Sequence, residues 1–509
     1  MGIKLTMLIL FFAVMVAVGV YARKHTNSVD GFVLGGRSVG PWLTAFAYGT
    51  SYFSAVVFVG YAGQFGWKYG LASTWIGLGN AVIGSLLAWV VLGRRTKVMT
   101  QHLKSKTMPD FFGERYESKA LKLAASAIVF VFLVPYTASI YNGLSRLFEM
   151  AFHVPYTWCV IAMAVFTGIY VILGGYMATA INDFIQGIIM LGGIIAVIAA
   201  VLSGQGGFME AVRKMAEIPS DVEVTLGQPG AFTSFFGPDP LNLLGVVILT
   251  SLGTWGLPQM IGKFYAIKDE KSINTGTVIS TIFAVIISGG CYFLGGFGRL
   301  FDSPAVYDEA GNVVFDSIIP YMLSGLSDVL IGIVVVLVLS ASMSTLASLV
   351  LTSSSTLTLD FLKGNLLKHA DDKKLVRAMQ MLIVFFIAVS VVLAVNPPTF
   401  IAQLMGISWG ALAGAFLAPF LYGLYWKRVT KAAVWASFII GVGITVSNMF
   451  LHYIESSINA GAAAMLAGLI VVPAVSVLTP KPDAQRMEEL FSCYEEKVTI
   501  TKKRSLETK

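Results

Sequence analysis

Apolar residues fill the chain in stretches of about 20, the length a helix rising about 1.5 Å per residue needs to cross a bilayer core about 30 Å thick. About thirteen such stretches occur, near residues 3–22, 40–65, 72–93, 121–149, 156–174, 180–203, 241–264, 274–299, 327–361, 375–395, 399–425, 431–452 and 460–479. Short polar segments separate them, so the pattern predicts an all-α polytopic membrane protein. One transmembrane domain takes up residues 1–479, and residues 480–509 form a charged, proline-containing tail. Residues 1–22 have the length of a signal peptide. No small-x-small cleavage site precedes the next polar stretch, so they are expected to be a retained first span. An odd number of spans puts the termini on opposite sides of the membrane.

Three spans depart from a uniform apolar run. The ninth carries a dense row of hydroxyls, among them Ser340, Ser342, Ser344, Thr345, Ser348, Thr352 and Ser355. Such a row serves either as a close-packing face of small residues or as oxygen ligands for a hard monovalent cation beside an unwound neighbour. The second span has Gly49-Thr50-Ser51 in its middle, and the seventh has Gly253, Gly256 and Pro258 close together. Glycine and proline cost helix hydrogen bonds, so these are either kinks or true breaks. Broken helices at matching places in two halves point to a binding site near the bilayer midplane. Spans 2 and 7 are five apart, as two inverted five-helix repeats require: spans 2–6 over about residues 40–203 and spans 7–11 over about 241–425.

Composition supports the membrane class, since 56% of residues are hydrophobic and only 12% charged. The net charge of +7 is topological. With the N-terminus outside, 29 of the 35 lysines and arginines fall in inner segments: 23–37, 94–122, 263–271, 363–377, 427–431 and the tail from Lys481. The outer loops 204–240 and 300–327 instead carry acids such as Glu210, Asp221 and Asp302. This positive-inside pattern predicts an outer N-terminus and a cytoplasmic C-terminus in the cell membrane, with no nucleic-acid partner. Cys159, Cys291 and Cys493 form neither a disulfide framework nor a metal-ligand spacing.

Asp183, in GGYMATAINDFIQG with Asn182 and Gln186 beside it, is the carboxylate standing clearly within a span. It is either a buried functional group or a hydrated residue at the inner interface near a helix start. Arg146 and Glu149 are spaced for an i,i+3 pair without chemistry. The segment TMPDFFGERY in the 94–120 loop is expected to lie against the inner face. No nucleophile–base pair, phosphate-cradling glycine loop or metal cluster occurs in the spans, so no enzyme is expected. Nothing resembles the continuous selectivity filter of a channel.

Six pieces occur in order over nearly the whole chain: LGGRSVGPWLTAFAYGTSYFSAVVFVGYAG, TMPDFFGERY, GGYMATAINDFIQG, WGLPQMIGKFYAIKDEKSI, Met343-Ser344-Thr345-Leu346, and GISWGALAGAFLAPFLYGLYWKRVTKAA. Together they resemble the sodium:solute symporter family, which shares the inverted-repeat fold of bacterial amino-acid symporters. The resemblance implies sodium as the coupling ion. It places the principal sodium site on the carbonyls of Thr50, Phe53 and Ala341 and the hydroxyls of Ser344 and Thr345. Ala341 shares one helix face with the two hydroxyls three and four residues on. Asp183 matches an acidic position on the sodium path, with Ser348 near it. In members with a second sodium, that aspartate joins Ser344 and hydroxyls three and four residues further on, here Ala347 and Ser348. One ligand is missing, which implies one sodium per cycle.

The resemblance also implies a solute pocket between spans 2, 4, 7 and 11, lined by Tyr52, Ser54, Tyr136, Thr254, Trp255, Gln259, Gln403 and Trp409. For each aromatic the alternative is helix packing or the interfacial belt. Proline carriers of the family have an aspartate at the position of Tyr52, so its absence argues against proline. The runs Tyr52-Phe53-Ser54-Ala55 and Gly256-Leu257-Pro258 resemble the pantothenate branch. The sugar carriers' carboxylate is absent, since Ala55 and Val56 fill that stretch. With no basic residue in the pocket region, the exposed amides of a broken helix would hold a carboxylate.

The expected function is sodium-coupled import, by alternating access, of a small polar organic solute: an organic acid or vitamin such as pantothenate, or an amino acid. The competitors are a proton-coupled carrier in which Asp183 titrates, an uncoupled carrier of the same fold, and a membrane sensor using the bundle as its input. The short tail speaks against the sensor. Beyond solute, sodium and the lipid bilayer, no obligate protein partner is expected.

Overall fold

The computed structural model describes residues 2–23 and 28–495. Lys24 and the last part of the expected tail, 496–509, lie outside the described residues. Every regular element among the described residues is helical. The first half comprises α1 (Gly2–Ala22), α2 (Pro41–Thr50), α3 (Ala62–Tyr69), α4 (74–102), α5 (Met108–Arg115), α6 (Lys119–Phe152) and α7 (Tyr156–Gly204). The second opens with α8 (Pro240–Gly256) and α9 (Pro258–Ala266), which meet at 45°. It continues with α10 (Glu270–Gly295), the surface helix α11 (Phe315–Ser324), α12 (Asp328–Leu362), α13 (Asp372–Val395) and α14 (Ile401–Tyr425). Last come α15 (Lys431–Leu451), α16 (Ser457–Leu478) and α17 (Ala484–Ser492).

Among the described residues ten helices are long and apolar enough to cross a membrane, or eleven if α8 and α9 form one bent span. The expectation was about thirteen. The difference lies in two continuous runs, Val56–His102 and Tyr156–Gly204, each covering ground assigned to two spans. A glycine turns the chain inside each: Gly70 at φ 59°, ψ −141° and Gly175 at φ 53°, ψ −147°. Only glycine adopts such angles without strain.

Local chemistry sets the other boundaries. Ser118, Asp269, Asp371, Thr430 and Asp483 each cap a helix, their side-chain oxygens accepting an N–H three residues on. Pro258 starts α9 because it has no N–H to give, and it holds Leu257 extended at φ −88°, ψ 120°.

Burial ranks the helices. The most apolar stretch of α12 is 83% buried and that of α14 is 89% buried, against 28–39% for α1, α13, α15 and α16. The first two are therefore the core and the last four face lipid, with Leu10, Val392 and Ile470 exposed on them. The loops fall on two faces. An acidic face carries α11 and the 205–239 segment, where Arg299 pairs with Asp221 at 2.6 Å. A basic face carries α5 and α17.

TMPDFFGERY does lie on the basic face, as α5, with Phe111 and Phe112 buried. Arg115, also buried, donates to Gly423 O (3.0 Å) and Trp426 O (3.2 Å) at the C-terminus of α14, where a cation suits the helix dipole. The described part of the tail is packed on this face: Met487, Leu490 and Phe491 are buried, and Arg95 sits 4.5 Å from the Tyr494 ring centre. Arg146 and Glu149 pair at 3.9 Å, half exposed.

Two predictions follow from this frame. A Cβ at Gly175 would lie 2.8 Å from both the Phe32 carbonyl oxygen and its ring, whereas one at Gly192 meets nothing within 4 Å. Gly175→Ala should destabilise the purified protein by about 2 kcal/mol or more, while Gly192→Ala leaves its melting temperature unchanged; equal melting for the two overturns this.

The second concerns Asp316, buried on α11, whose Oδ2 accepts the Ile401 N–H at 3.3 Å. Burial pushes its carboxyl up to about 6, against the opposing pull of that N–H and of Arg146. A raised carboxyl binds its proton more tightly when folded, so its contribution is present below about pH 4 and lost as pH rises to about 6. Relative to Asp316→Asn, the parent protein should lose stability over that window, on the order of 3 kcal/mol in denaturant titrations; parallel pH profiles for the two proteins rule this out.

Candidate functional site

The second span is interrupted between α2 and α3 because serine side chains there compete with the backbone. Ser51 Oγ donates to Ala47 O at 2.5 Å, and Ser54 Oγ accepts the Val56 N–H at 3.2 Å. The N–H groups of Tyr52 and Phe53 both turn back to Gly49 O, at 3.2 and 3.4 Å. The carbonyls of Thr50 and Phe53 then face α12.

There they meet hydroxyls halfway along that helix. Ser344 Oγ lies 2.9 Å from Thr50 O and 3.0 Å from Ala341 O. Thr345 Oγ1 lies 3.1 Å from Thr50 O, 3.4 Å from Phe53 O and 3.0 Å from Ala341 O. The structure thus brings together all five residues, each of them buried. Two hydroxyl protons serve three carbonyls, so lone pairs outnumber donors. A hard cation held at about 2.4 Å by oxygens at octahedral corners needs them about 3.4 Å apart. The contacts of 2.9–3.4 Å are hydrogen bonds, most of them a few tenths of an ångström tighter than that, and the donor-poor oxygen set is of the kind such an ion takes.

Asp183 is fully buried in α7, which removes the hydrated-interface alternative. Its Oδ2 lies 3.8 Å from Nζ of Lys263, which is also buried and donates to Ser348 Oγ at 3.0 Å. Ser348 Oγ in turn lies 2.8 Å from Ser51 Oγ. The charge pattern groups Lys263 with the inner-loop cations. The structure corrects this, because α9 resumes after Pro258 and keeps the lysine inside the bundle. Asp183 is not alone as a buried carboxylate either. Asp360, near the end of α12, is buried, accepts from Thr107 Oγ1 at 2.6 Å and lies 3.4 Å from Lys122 Nζ.

The eight expected solute residues divide. Tyr52, Tyr136 and Trp409 form one buried cluster, with ring centres 5.5 Å apart for Tyr52–Trp409 and 5.9 Å for Tyr136–Trp409. Gly253 of α8 closes over Trp409, a Cβ there reaching the ring at 3.0 Å. Thr254 and Trp255 instead donate to Gly84 O (3.1 Å) and Ile83 O (2.9 Å) of α4. Those carbonyls lie in a π-helical stretch, Asn80–Leu87, whose wide turns offer acceptors to side chains. Gln403 lines a cavity of about 810 Å³ on the acidic face, with Gln64, Lys68 and Asp239. Gln259 lines one of about 40 Å³ toward the basic face, with Lys263 and Ser348. Ser54 faces a small cavity with Phe53, Met190 and Ala341, away from the aromatic cluster.

Amides of the span-2 break are largely engaged, since Ala55 N–H is taken by Ser342 Oγ at 3.1 Å. The N-terminus of α9, by contrast, has no side-chain cap. The sequence reasoning missed Ser51, Ser342 and Lys263. The Gly49-Thr50-Ser51 triplet was the signal for Ser51, and the four-residue spacing from Gln259 to Lys263 was the signal for the lysine.

The sequence model of the sodium:solute symporter family matches residues 32–441. The osmoregulated proline transporter OpuE of Bacillus subtilis (strain 168) is 28% identical over 502 residues, covering 96% of each chain. The sodium/proline symporter of Staphylococcus aureus (strain NCTC 8325 / PS 47) is 30% identical over 503 residues, covering 94% of this chain and 93% of that one. Among solved structures, a Na+-coupled sialic acid symporter in a substrate-bound outward-open state superposes with a TM-score of 0.77 at 15% identity, over 94% of this chain and 98% of that chain. MhsT in complex with L-phenylalanine gives 0.52 at 15% identity, over 89% and 99%. At such identities the solved structures show the fold alone. With most of its length matched by the family model, the chain belongs to the sodium:solute symporter family.

Proposed function

We propose that this protein couples sodium entry to the import of a small solute bearing a carboxylate, by alternating access. Thr50, Phe53, Ala341, Ser344 and Thr345 bind the ion, Asp183 and Ser348 lie on its way to the cytoplasm, and Tyr52, Tyr136 and Trp409 line the solute site. One observation carries the reading. Residues 50–53 supply both the carbonyls that meet α12 and the Tyr52 ring that meets Trp409. Sodium between this break and α12 holds the break in place, and the break presents Tyr52 to the solute. Losing the ion therefore disfavours the solute-bound state, which is how a sodium gradient does work on the solute.

Thirteen spans follow when the turns at Gly70 and Gly175 are counted as span boundaries and the two broken spans are each counted once. The repeats then run over about residues 40–203 and 241–425 of a single domain, 1–479. The basic face is cytoplasmic, and the molecule sits in the cell membrane with its N-terminus outside. Relatives named for proline run against the Tyr52 argument and make proline the first solute to test, with pantothenate second. A proton-coupled carrier is the second reading, favoured by the Asp183 carboxylate, which has no hydrogen bond among the described residues.

In sodium chloride against choline chloride at equal ionic strength, sodium at about 100 times its dissociation constant should stabilise the purified protein by about 2.7 kcal/mol. Ser344→Ala/Thr345→Ala should abolish that shift. A solute-induced shift of equal size in choline points to proton-coupled or uncoupled transport. Trp409→Leu should raise the solute KM about tenfold or more through lost aromatic contact, with Trp409→Phe much milder and sodium binding unchanged in both. An unaltered KM in Trp409→Leu removes the aromatic cluster from the solute path.

A further inference from the structure

A buried ammonium stands where the five-oxygen cluster opens toward the basic face. Lys263 Nζ lies 3.0 Å from Ser348 Oγ and 3.8 Å from Asp183 Oδ2. Ser348 is one helical turn beyond Ser344 and Thr345, and its Oγ is 2.8 Å from Ser51 Oγ, the residue after Thr50. Lysine only donates and the Ser51 proton goes to Ala47 O, so Ser348 accepts from Lys263 and donates to Ser51. Neither Asp183 oxygen has a hydrogen bond among the described residues, so the ammonium's charge is the carboxylate's main answer. Beyond Lys263 the cavity of about 40 Å³, lined also by Thr352 and Ser355, leads to Lys106 and Thr107 near the basic face.

We propose that the Lys263 ammonium is a tethered cation filling a second cation position formed by Asp183, Ser348 and Ser51, and that it holds coupling at one sodium per cycle. A carboxylate and two hydroxyls in a buried setting offer what an alkali ion takes. An ammonium on a flexible stem brings the same charge, donating to Ser348 Oγ at 3.0 Å and lying 3.8 Å from the carboxylate. Being covalently attached, it is not carried through, so the position contributes no second ion to the gradient-driven step. Its charge one turn from the sodium oxygens also weakens sodium there and favours release toward the basic face.

This inference rests on the sodium-site reading above. Lys263→Met keeps an unbranched stem without the charge and leaves the Asp183 carboxylate facing the two serines. Radioactive sodium binding to purified protein at about pH 8.5 should count one ion in the parent and two in Lys263→Met. The Hill coefficient of solute uptake should rise from about 1 toward 2. Lys263→Arg and Lys263→Met/Asp183→Asn should each bind one. A single sodium of unchanged affinity in Lys263→Met overturns the proposal.

Where that variant does not reach the membrane, Asp183→Asn decides. It leaves the ammonium unopposed and should weaken sodium about tenfold or more, and adding Lys263→Met should restore affinity. Absence of that rescue overturns the proposal equally. A parent protein that binds no sodium instead overturns the sodium-site reading, so the two failures are told apart.

Discussion

A bilayer core has no water to satisfy a broken backbone, and each polar group freed there must find a partner inside the protein. The break at residues 51–54 meets that demand through α12. Ser342 takes the Ala55 N–H, Ser344 and Thr345 reach the carbonyls of Thr50 and Phe53, and Ser348 meets Ser51. Four hydroxyls within seven residues of one helix thus hold an unwound segment in place. This explains why α12 is among the most buried helices although it is rich in serine and threonine. Without those side chains the break would be an uncompensated cost in hydrocarbon.

In the proposed reading, the same contacts make ion and solute share one switch. The break is too short for its two sides to move independently, since Thr50 and Phe53 point one way and Tyr52 the other along three successive peptides. A shift of α12 relative to α2 disturbs the oxygens and the Tyr52–Trp409 contact together. On the other side of Trp409, Gly253 lets α8 close upon the ring and Gly256 lets it approach α14, a Cβ there coming within 2.7 Å of Ala413. Both broken spans therefore bear on the same aromatic cluster.

Much of this was legible in the chain because it follows from simple periodicities. Apolar runs located the spans, and Pro258 and its glycines located the second break; the family resemblance picked out Ala341, Ser344 and Thr345, whose i, i+3, i+4 spacing puts three oxygens on one face. What escaped was set by tertiary geometry. Lys263 looked like a loop cation because it ends an apolar run, yet α9 carries it inward to Asp183. Thr254 and Trp255 looked like pocket residues, but the π-helical turns of α4 present carbonyls that capture them. Gln259 and Gln403 share a residue type and lie on opposite sides of the cluster, a distinction no spacing encodes.

The two breaks are alike in sequence texture and differ in the polar groups they leave free. The first ends α2, so it offers the carbonyl end of a helix, where the dipole favours positive charge. The second begins α9 at Pro258 with no side-chain cap, so it offers the amide end, where the dipole favours an anion. The amides around the first break are largely engaged, by Gly49 O, Ser342 and Ser54, which leaves the first break little capacity to hold a carboxylate. A cation at one break and a carboxylate at the other attract each other through a medium of low dielectric, where such attraction is strong. In the proposed reading, sodium and solute then help each other bind by charge as well as by the shared position of Tyr52, and a neutral solute would receive only the second kind of help.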